Sequence, residues 1–256
     1  MNESVSAAVR EEYLEKGFVK ITGFRDAAEV SALTSWVDDI TTWPPSEDRW
    51  MHHFEQTPGG VQLARTENLL PYHEGLRNLL TVGKVPNVIG MVLGEPAVLY
   101  KEKINYKHPG GGGYAAHQDA PAYDFIKRHI TCSIAIDAAT PENGCLEFVA
   151  GMHKQGLLPM DDSGCIDPEL AEAFTWEAVP MLPGDALLFS SYAPHRSSPN
   201  ETDRPRRSLY LTYNALAEGN LREQYYRDKR RALEEKQQSG DARISKIGHF
   251  RGKLVP

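Results

Sequence analysis

The sequence predicts a mainly β, α+β protein in which a jelly-roll core is buttressed by helices. Three observations predict it. From Ala97 onward, short β-branched or aromatic runs alternate with clusters of Gly, Pro, Asn and Asp, the spacing of antiparallel β-structure in a sandwich or barrel. Helical periodicity precedes that region and returns only after it. No repeat or low-complexity linker divides the 256 residues. A single domain over 1–256 is therefore expected, with a helical part over about 1–96, a jelly-roll core over about 97–218 and a C-terminal charged helix and tail over about 219–256.

The elements follow in order. "SAAVREEYLEKG" reads as a helix ending at Gly17, and "FVKITGF" as a short strand. Val30, Leu33, Trp36, Val37 and Ile40 recur at helical spacing until Pro44 and Pro45 stop the helix. From "DRWMHHFE" to "ARTENLLPYHEGL" no clear period emerges, which predicts a long excursion with short strands, a common carrier of binding residues. "LRNLLTVGKVPNVIGMVLG" predicts helical segments broken around Gly83 and Pro86 and ended by Gly94. The strands "AVLYKEKINYK", "HITCSIAIDAA", "GCLEFVAG", "EAVPML", "GDALLFSS" and "RRSLYLTYNAL" make the core. "LREQYYRDKRRALEEKQQSGDARIS" closes the chain as a charged surface helix and polar tail, its basic residues a solvated face.

Composition narrows the function. With 41% hydrophobic and 25% charged residues the chain is that of a soluble globular protein able to bury a sizeable core. A formal net charge of -7 leaves no positive excess to displace phosphate counterions, so a small-molecule partner is expected and nucleic acid is not. The polar start lacks an apolar leader and no apolar run is long enough to span a bilayer, so no membrane partner and a cytoplasmic location are expected. Cys132, Cys145 and Cys165 are odd in number and form no CxxC pair, which suits reduced thiols. No oligomeric state is implied.

The chemistry begins at "YAAHQDAPAY". On a strand, residues i and i+2 share a face, so His117 and Asp119 reach one point while Gln118 turns away. Taken alone, such a tripeptide usually marks a solvated strand end. A jelly roll brings distant strands together, and His195 follows the hydrophobic strand "ALLFSS" in a loop that can point into a barrel mouth. Two histidines and one carboxylate make a facial triad, leaving open positions on Fe(II) for a cosubstrate and dioxygen, the arrangement of non-haem iron oxygenases. Eleven residues beyond His195, Arg206 heads a strand where its guanidinium can fork onto the distal carboxylate of a dicarboxylic cosubstrate. Arg204 and Arg207 are its rivals. Alternation puts Arg207 on the opposite face, and Arg204 precedes Pro205 in a turn. Three clustered arginines are otherwise ordinary surface residues making weak ion pairs.

"HQD", "NGCLEFVAGMHKQG", "GDALLFSSYAPH" and "PHRSSPNETDRPRRSLYLTYN", in this order, resemble the phytanoyl-CoA dioxygenase family of Fe(II)/2-oxoglutarate oxygenases. The likeness is strongest from "KEKINYK" to "LYLTYN". It implies a double-stranded β-helix, cupin-like, with Fe(II) on His117, Asp119 and His195 and the cosubstrates 2-oxoglutarate and O2, the former anchored by Arg206. Family halogenases replace the carboxylate ligand with a small residue, and Asp119 disfavours that activity. Lys103 and Asn105, Thr131 and Ser133, and Ser197 are further candidates for 2-oxoglutarate contact, each equally readable as a plain strand-face hydrogen-bonding residue. His153 corresponds to a histidine that is usually structural. His52, His53 and His73 read as ordinary surface or packing residues and not as metal ligands. "HPGGGG" lacks the Lys-Ser/Thr and helix start of a phosphate-binding loop and reads as a flexible loop delivering His117.

The implied reaction is hydroxylation or other oxidation of a C–H bond in a small polar metabolite, with release of succinate and CO2. Arg65, Glu67, Asn68, Tyr72 and His73 in the N-terminal excursion, with Tyr123 and Asp124 after the metal motif, are the candidate substrate residues. Arg plus Glu suits a zwitterion, so an aminoalkylphosphonate and an amino-acid-derived secondary metabolite both fit. Two rival classes are a metal-dependent hydrolase, which has no use for Arg206, and a catalytically silent cupin-like binding module, against which the full ligand set speaks.

Overall fold

The structure, a computed structural model, describes residues 3–123, 126–239 and 248–255. Asp124 lies outside the described residues. α1 (Glu3–Lys16) ends at Gly17, whose φ of 86° turns the chain into β1 (Phe18–Ile21). α2 (Ala27–Thr41) begins in a capping box: the Asp26 carboxylate accepts from the Glu29 N–H and the Glu29 carboxylate from the Asp26 N–H. Two N–H groups that the helix end leaves free are thereby satisfied.

Where the sequence shows no period, β2 (Met51–Thr57) and β3 (Gly60–Glu67) form a hairpin longer than the short strands expected. The cause is a bulge. His53 pairs with Arg65 but Phe54 pairs with Leu63, so Ala64 is extra and the alternation slips by one. α3 (Glu74–Thr81) and α4 (Lys84–Leu93) break at Gly83 as predicted. Pro86 does not break them. It sits in the first turn of α4, where a helix has no use for the missing N–H.

The rest of the chain is β4 (Ala97–Lys107), β5 (Tyr114–His117), β6 (His129–Ala135), β7 (Leu146–Phe148), α5 (Pro168–Ala173), β8 (Glu177–Val179), β9 (Ala186–Ser190), β10 (His195–Ser197), β11 (Arg206–Ala215), α6 (Arg222–Ser239) and β12 (Lys253–Val255). They build two antiparallel sheets. The larger has the order β1-β9-β6-β11-β4-β3-β2-β12 and the smaller β5-β10-β7-β8. The jelly roll is therefore borne out, but its boundaries are wider than 97–218, since β1, β2, β3 and β12 all join the larger sheet.

Alternation along the larger sheet divides two cores. Ile104, Tyr106, Leu209, Leu211 and Tyr213 face outward and pack with Leu33, Val37, Ile40, Leu76, Leu80 and Ile89 of α2, α3 and α4. Leu187, Phe189, Ala135 and Tyr210 face inward and meet Leu146, Phe148 and Val179 of the smaller sheet. Inward positions that are not apolar are the ones free to do chemistry. α6 is not the solvated helix that its charge suggests: Arg222 and Tyr226 are buried, Arg222 against Glu102. The polar tail expected after this helix lies mostly outside the described residues, and beyond it 248–251 lies along β5 and β12 pairs with β2. Cys132, Cys145 and Cys165 are buried free thiols. Among the described residues no helix is long and apolar enough to cross a membrane.

Candidate active site

β5 and β10 run antiparallel with His117 directly opposite His195, so their imidazoles share the inner face with ring centroids 4.1 Å apart. Each ring is fixed from behind. The Nδ1–H of His117 donates to the Ala115 carbonyl at 2.7 Å and that of His195 to the Ala193 carbonyl at 3.0 Å, since a carbonyl can only accept. Both Nε2 lone pairs are thereby left for a metal. Asp119 lies just beyond the end of β5, at a backbone turn with φ -75° and ψ -24°, so it reaches the same point by a bend and not by the strand alternation expected. One ligand atom from each of His117, Asp119 and His195 lies within 4.8 Å of the others. Gln118 turns away, as predicted: its amide donates to the carbonyls of Gly156 and Tyr192 and accepts from the Leu158 N–H, which pins the bend.

The protonation states suit a divalent cation. Burial, then the neighbouring His195, pushes His117 down to about 3, and burial lowers His195 as well. Burial works against the Asp119 charge, yet His195, Lys101 and Lys103 overcome it and hold the carboxyl below its usual range. Two neutral imidazoles and a carboxylate are the donor set of a facial-triad iron site.

Beside the triad, at the head of β11, Arg206 pairs across the sheet with Lys107. Both are buried. Lys107 donates to Ser197 Oγ at 2.8 Å and to the Ser198 and Gly144 carbonyls, all neutral acceptors. A Cβ on Gly144, which has φ 72°, would lie 2.0 Å from the Ser198 oxygen and 2.7 Å from Lys107 Nζ, so only glycine allows this approach. Arg206 makes no hydrogen bond or ion pair among the described residues, and its Nε is buried without a partner. Burial and the neighbouring Arg206 push the Lys107 pKa well down, with Glu55 acting the other way, and a basic pair without a hydrogen-bonded carboxylate fits the distal end of a dicarboxylate. Arg207 points outward, where Asp137 accepts from its Nε and Nη2 at 2.8 and 2.9 Å and Asp38 from its Nη1. Arg204 is exposed. The expected division of the three arginines is therefore the one found.

A cavity opens over the triad. Lys101, Lys103 and Asn105 line it from alternate positions of β4, with Thr131 of β6 and Thr212 of β11, whose hydroxyls bond each other at 3.1 Å. Neither lysine donates a hydrogen bond or forms an ion pair among the described residues. The Lys101 ammonium lies 4.5 Å from the Tyr123 ring centroid and that of Lys103 5.4 Å from the Tyr210 centroid. Burial, with Arg65 and Lys101 nearby, pushes the Lys103 pKa well down. Asp119 is the one carboxylate among the lining residues. Ser133 is buried opposite Tyr210 and does not line the cavity, and Ser197 is occupied by Lys107.

The N-terminal candidates are mostly elsewhere. Arg65 is buried behind the wall, donating to Asn105 Oδ1 and Tyr114 Oη at 3.0 Å each and to Glu67 at 3.4 Å. Glu67 is bound on its other oxygen by Lys229 at 2.5 Å. Arg65 and Glu67 are thus held by each other and by Lys229, and neither lines the cavity. Asn68, at φ 61°, ties Arg49 to Arg222. Tyr72 is exposed with its edge on Trp50, and His73 caps α3 by accepting from the Leu76 N–H. Tyr123 is buried beside the cavity with its hydroxyl 3.4 Å from Thr212. His153 packs on Gly17 and His52 links Thr66 to Trp43, outside the cavity. The glycine run is no flexible tether: a Cβ on Gly112 would lie 2.3 Å from Gly252 and one on Gly113 2.6 Å from the Ser197 oxygen. Those glycines let three segments approach. Sequence reasoning missed Lys101, Lys107 and His249. The alternation of "KEKINYK", which puts Lys101 and Lys107 on the face of Lys103, is the signal for the first two.

A jelly roll with such a triad and a dicationic corner beside it is the architecture of the 2-oxoglutarate-dependent non-haem iron oxygenases. Residues 13–208 match the model of the phytanoyl-CoA dioxygenase (PhyH) family, and the chain belongs to that family. It is 60% identical to a methylphosphonate hydroxylase of Gimesia maris over 99% of this chain and 98% of the relative. It is 39% identical to a 2-aminoethylphosphonate dioxygenase of an uncultured bacterium, over 86% of this chain and 85% of the relative. The fold is shared with the epimerase SnoN, solved with Fe3+, alpha ketoglutarate and nogalamycin RO, at a TM-score of 0.72 and 20% identity, covering 84% of this chain and 85% of that one. The protein is an Fe(II)/2-oxoglutarate-dependent dioxygenase acting on a small molecule, and neither the hydrolase nor the silent binding module finds support.

Proposed function

We propose that the protein hydroxylates methylphosphonate, or a closely similar small alkylphosphonate, at carbon. In this reading His117, Asp119 and His195 hold Fe(II), and Arg206 and Lys107 receive the distal carboxylate of 2-oxoglutarate. Lys101 and Lys103 take the phosphonate. With iron and 2-oxoglutarate bound, dioxygen supplies the oxygen atom, and 2-oxoglutarate leaves as succinate and CO2. The chain's own part is to place the substrate carbon over the iron and to hold its charge in a site walled from water.

The observation that carries the reading is the pair of lysines, Lys101 and Lys103, that line the cavity beside the triad without a hydrogen bond or ion pair among the described residues. Cations left without acceptors in a partly buried wall suit a ligand bearing a compact anion. The 60% identical methylphosphonate hydroxylase supports the same substrate class. Among the described lining residues, Asp119, a metal ligand in this reading, is the one carboxylate, which favours a simple alkylphosphonate over an aminoalkyl one. The test is incubation of the iron-loaded enzyme with 2-oxoglutarate and each phosphonate in air. Methylphosphonate is expected to give one succinate per hydroxymethylphosphonate seen by phosphorus NMR, with kcat/KM above that for 2-aminoethylphosphonate. Succinate formation that methylphosphonate does not stimulate would overturn the reading.

A further inference from the structure

After α6 the chain returns over the active site. The Ala115 N–H donates to the His249 carbonyl at 2.7 Å, the Arg251 N–H to the Gly113 carbonyl at 2.8 Å, and the Gly248 N–H to the Ser163 carbonyl at 2.7 Å. Tyr114 and Phe250 form a bridge, and β12 then pairs with β2. Residues 248–251 are thus an added edge for β5, the strand that carries His117. Gly112 and Gly252 permit this contact, because a side chain on either would collide with the other segment or with Glu55.

This strap aims one side chain inward. His249 is 6% exposed, lines the cavity, and lies flat on the His117 ring with centroids 4.1 Å apart and planes 2° from parallel. Its Nδ1 is buried without a hydrogen-bond partner. A buried ring nitrogen left unmet is costly unless a ligand meets it. Packing on His117 asks only for a flat ring and does not explain an imidazole. His249 lines the cavity together with Lys101, Lys103 and Asp119, whereas Arg206 and Lys107 are not among the residues that line it.

We propose that the C-terminal strap is part of the catalytic site and that His249 binds the substrate, its imidazole hydrogen-bonding the oxyanion that Lys101 and Lys103 attract. The inference rests on the reading of the site as one for a small alkylphosphonate. It makes the last residues of the chain a determinant of substrate binding, and it makes the strap a wall that must be seated before the substrate is held.

The test separates substrate from cosubstrate. His249→Phe keeps a flat ring on His117 and removes both nitrogens. Under anaerobic conditions the metal-to-ligand absorbance of the Fe(II)–2-oxoglutarate complex reports 2-oxoglutarate affinity, and its shift on adding methylphosphonate reports substrate affinity. The expected result is 2-oxoglutarate affinity within twofold of native and methylphosphonate binding weakened at least tenfold. Methylphosphonate affinity within twofold of native would overturn the inference, as would a parallel loss of 2-oxoglutarate binding, which would mean that the ring acts through His117. His249→Leu carries the same expectation and decides the matter if the phenylalanine variant does not fold. Methylphosphonate that binds the native enzyme but is not hydroxylated would defeat the functional reading and leave the role of His249 to the binding data. If neither methylphosphonate nor inorganic phosphate binds the native enzyme, both fall.

Discussion

Two groups of buried or half-buried basic side chains lie on neighbouring strands and are treated differently by the fold. Along β3, β4 and α6, Arg65 and Lys229 share Glu67, and Arg222 is bound by Glu102. On the inner face of β4 and β11, Lys101, Lys103 and Arg206 make no hydrogen bond or ion pair with a carboxylate among the described residues, Asp119 acting on the two lysines only through space, and Lys107 donates only to neutral acceptors. A charge taken from water without a partner costs stability, so a chain that gives each member of one set a carboxylate contact and leaves the other without one is distinguishing structure from function. The paired cations brace the wall. The bare ones await 2-oxoglutarate and the substrate.

The sharpest way to break this contrast is to remove the shared anion. Glu67→Gln leaves Arg65 and Lys229 buried without a counter-charge and is expected to cost about 3–5 kcal/mol in urea unfolding. A loss below about 1 kcal/mol would show that the network is not a structural pair. On the bare side, Arg206→Lys replaces a fork by a point charge and is expected to weaken 2-oxoglutarate binding by about 2–5 kcal/mol in anaerobic titration. Arg207→Lys, one residue away on the face held by Asp137, is expected to leave that affinity within twofold. Equal effects at both positions would contradict the assignment of the two faces.

A smaller effect comes from acid. His53 lies 3.6 Å from Glu67, but Arg65 and Lys229 already claim that carboxylate, and burial pushes His53 down to about 3. Burial likewise lowers His129 to about 4. In the unfolded chain both take a proton near pH 6.5, while the fold resists protonation until the lower values. Between those limits the unfolded state binds more protons, so stability is full above about pH 6.5 and falls as pH drops. For His53 the loss by pH 5 is on the order of 2 kcal/mol, and His53→Phe should flatten the slope. A native protein equally stable at pH 7 and 5 would mean that Glu67 has charge to spare.

How much of this was legible depended on how local the signal was. His117 with Asp119, His195 after "ALLFSS", and the opposed faces of Arg206 and Arg207 rest on spacings of one or two residues or on a hydrophobic strand, and the structure brings those groups together as expected. Lys101 and Lys107 were equally legible, because alternation along "KEKINYK" extends in both directions from Lys103. Arg65 and Glu67 misled because their types suit a zwitterion, whereas Lys229 on α6 decides their role and lies 162 residues from Glu67. His249 gave no signal at all. Its place depends on a strap docking onto β5 through glycines more than 100 residues earlier, a contact that no local pattern encodes.

The claim at the centre of this account is that the bare lysines of β4 are kept for the substrate, and Lys103→Met tests it most directly. Methylphosphonate affinity, read from the shift of the anaerobic Fe(II)–2-oxoglutarate absorbance, and thermal stability are measured on the same preparation. The account predicts methylphosphonate binding weakened at least tenfold, 2-oxoglutarate affinity unchanged, and a melting temperature equal to or above native, because burial already disfavours the Lys103 ammonium and an apolar side chain removes that cost. A variant that binds methylphosphonate normally and melts well below native would contradict it, since Lys103 would then be part of the brace and not of the site.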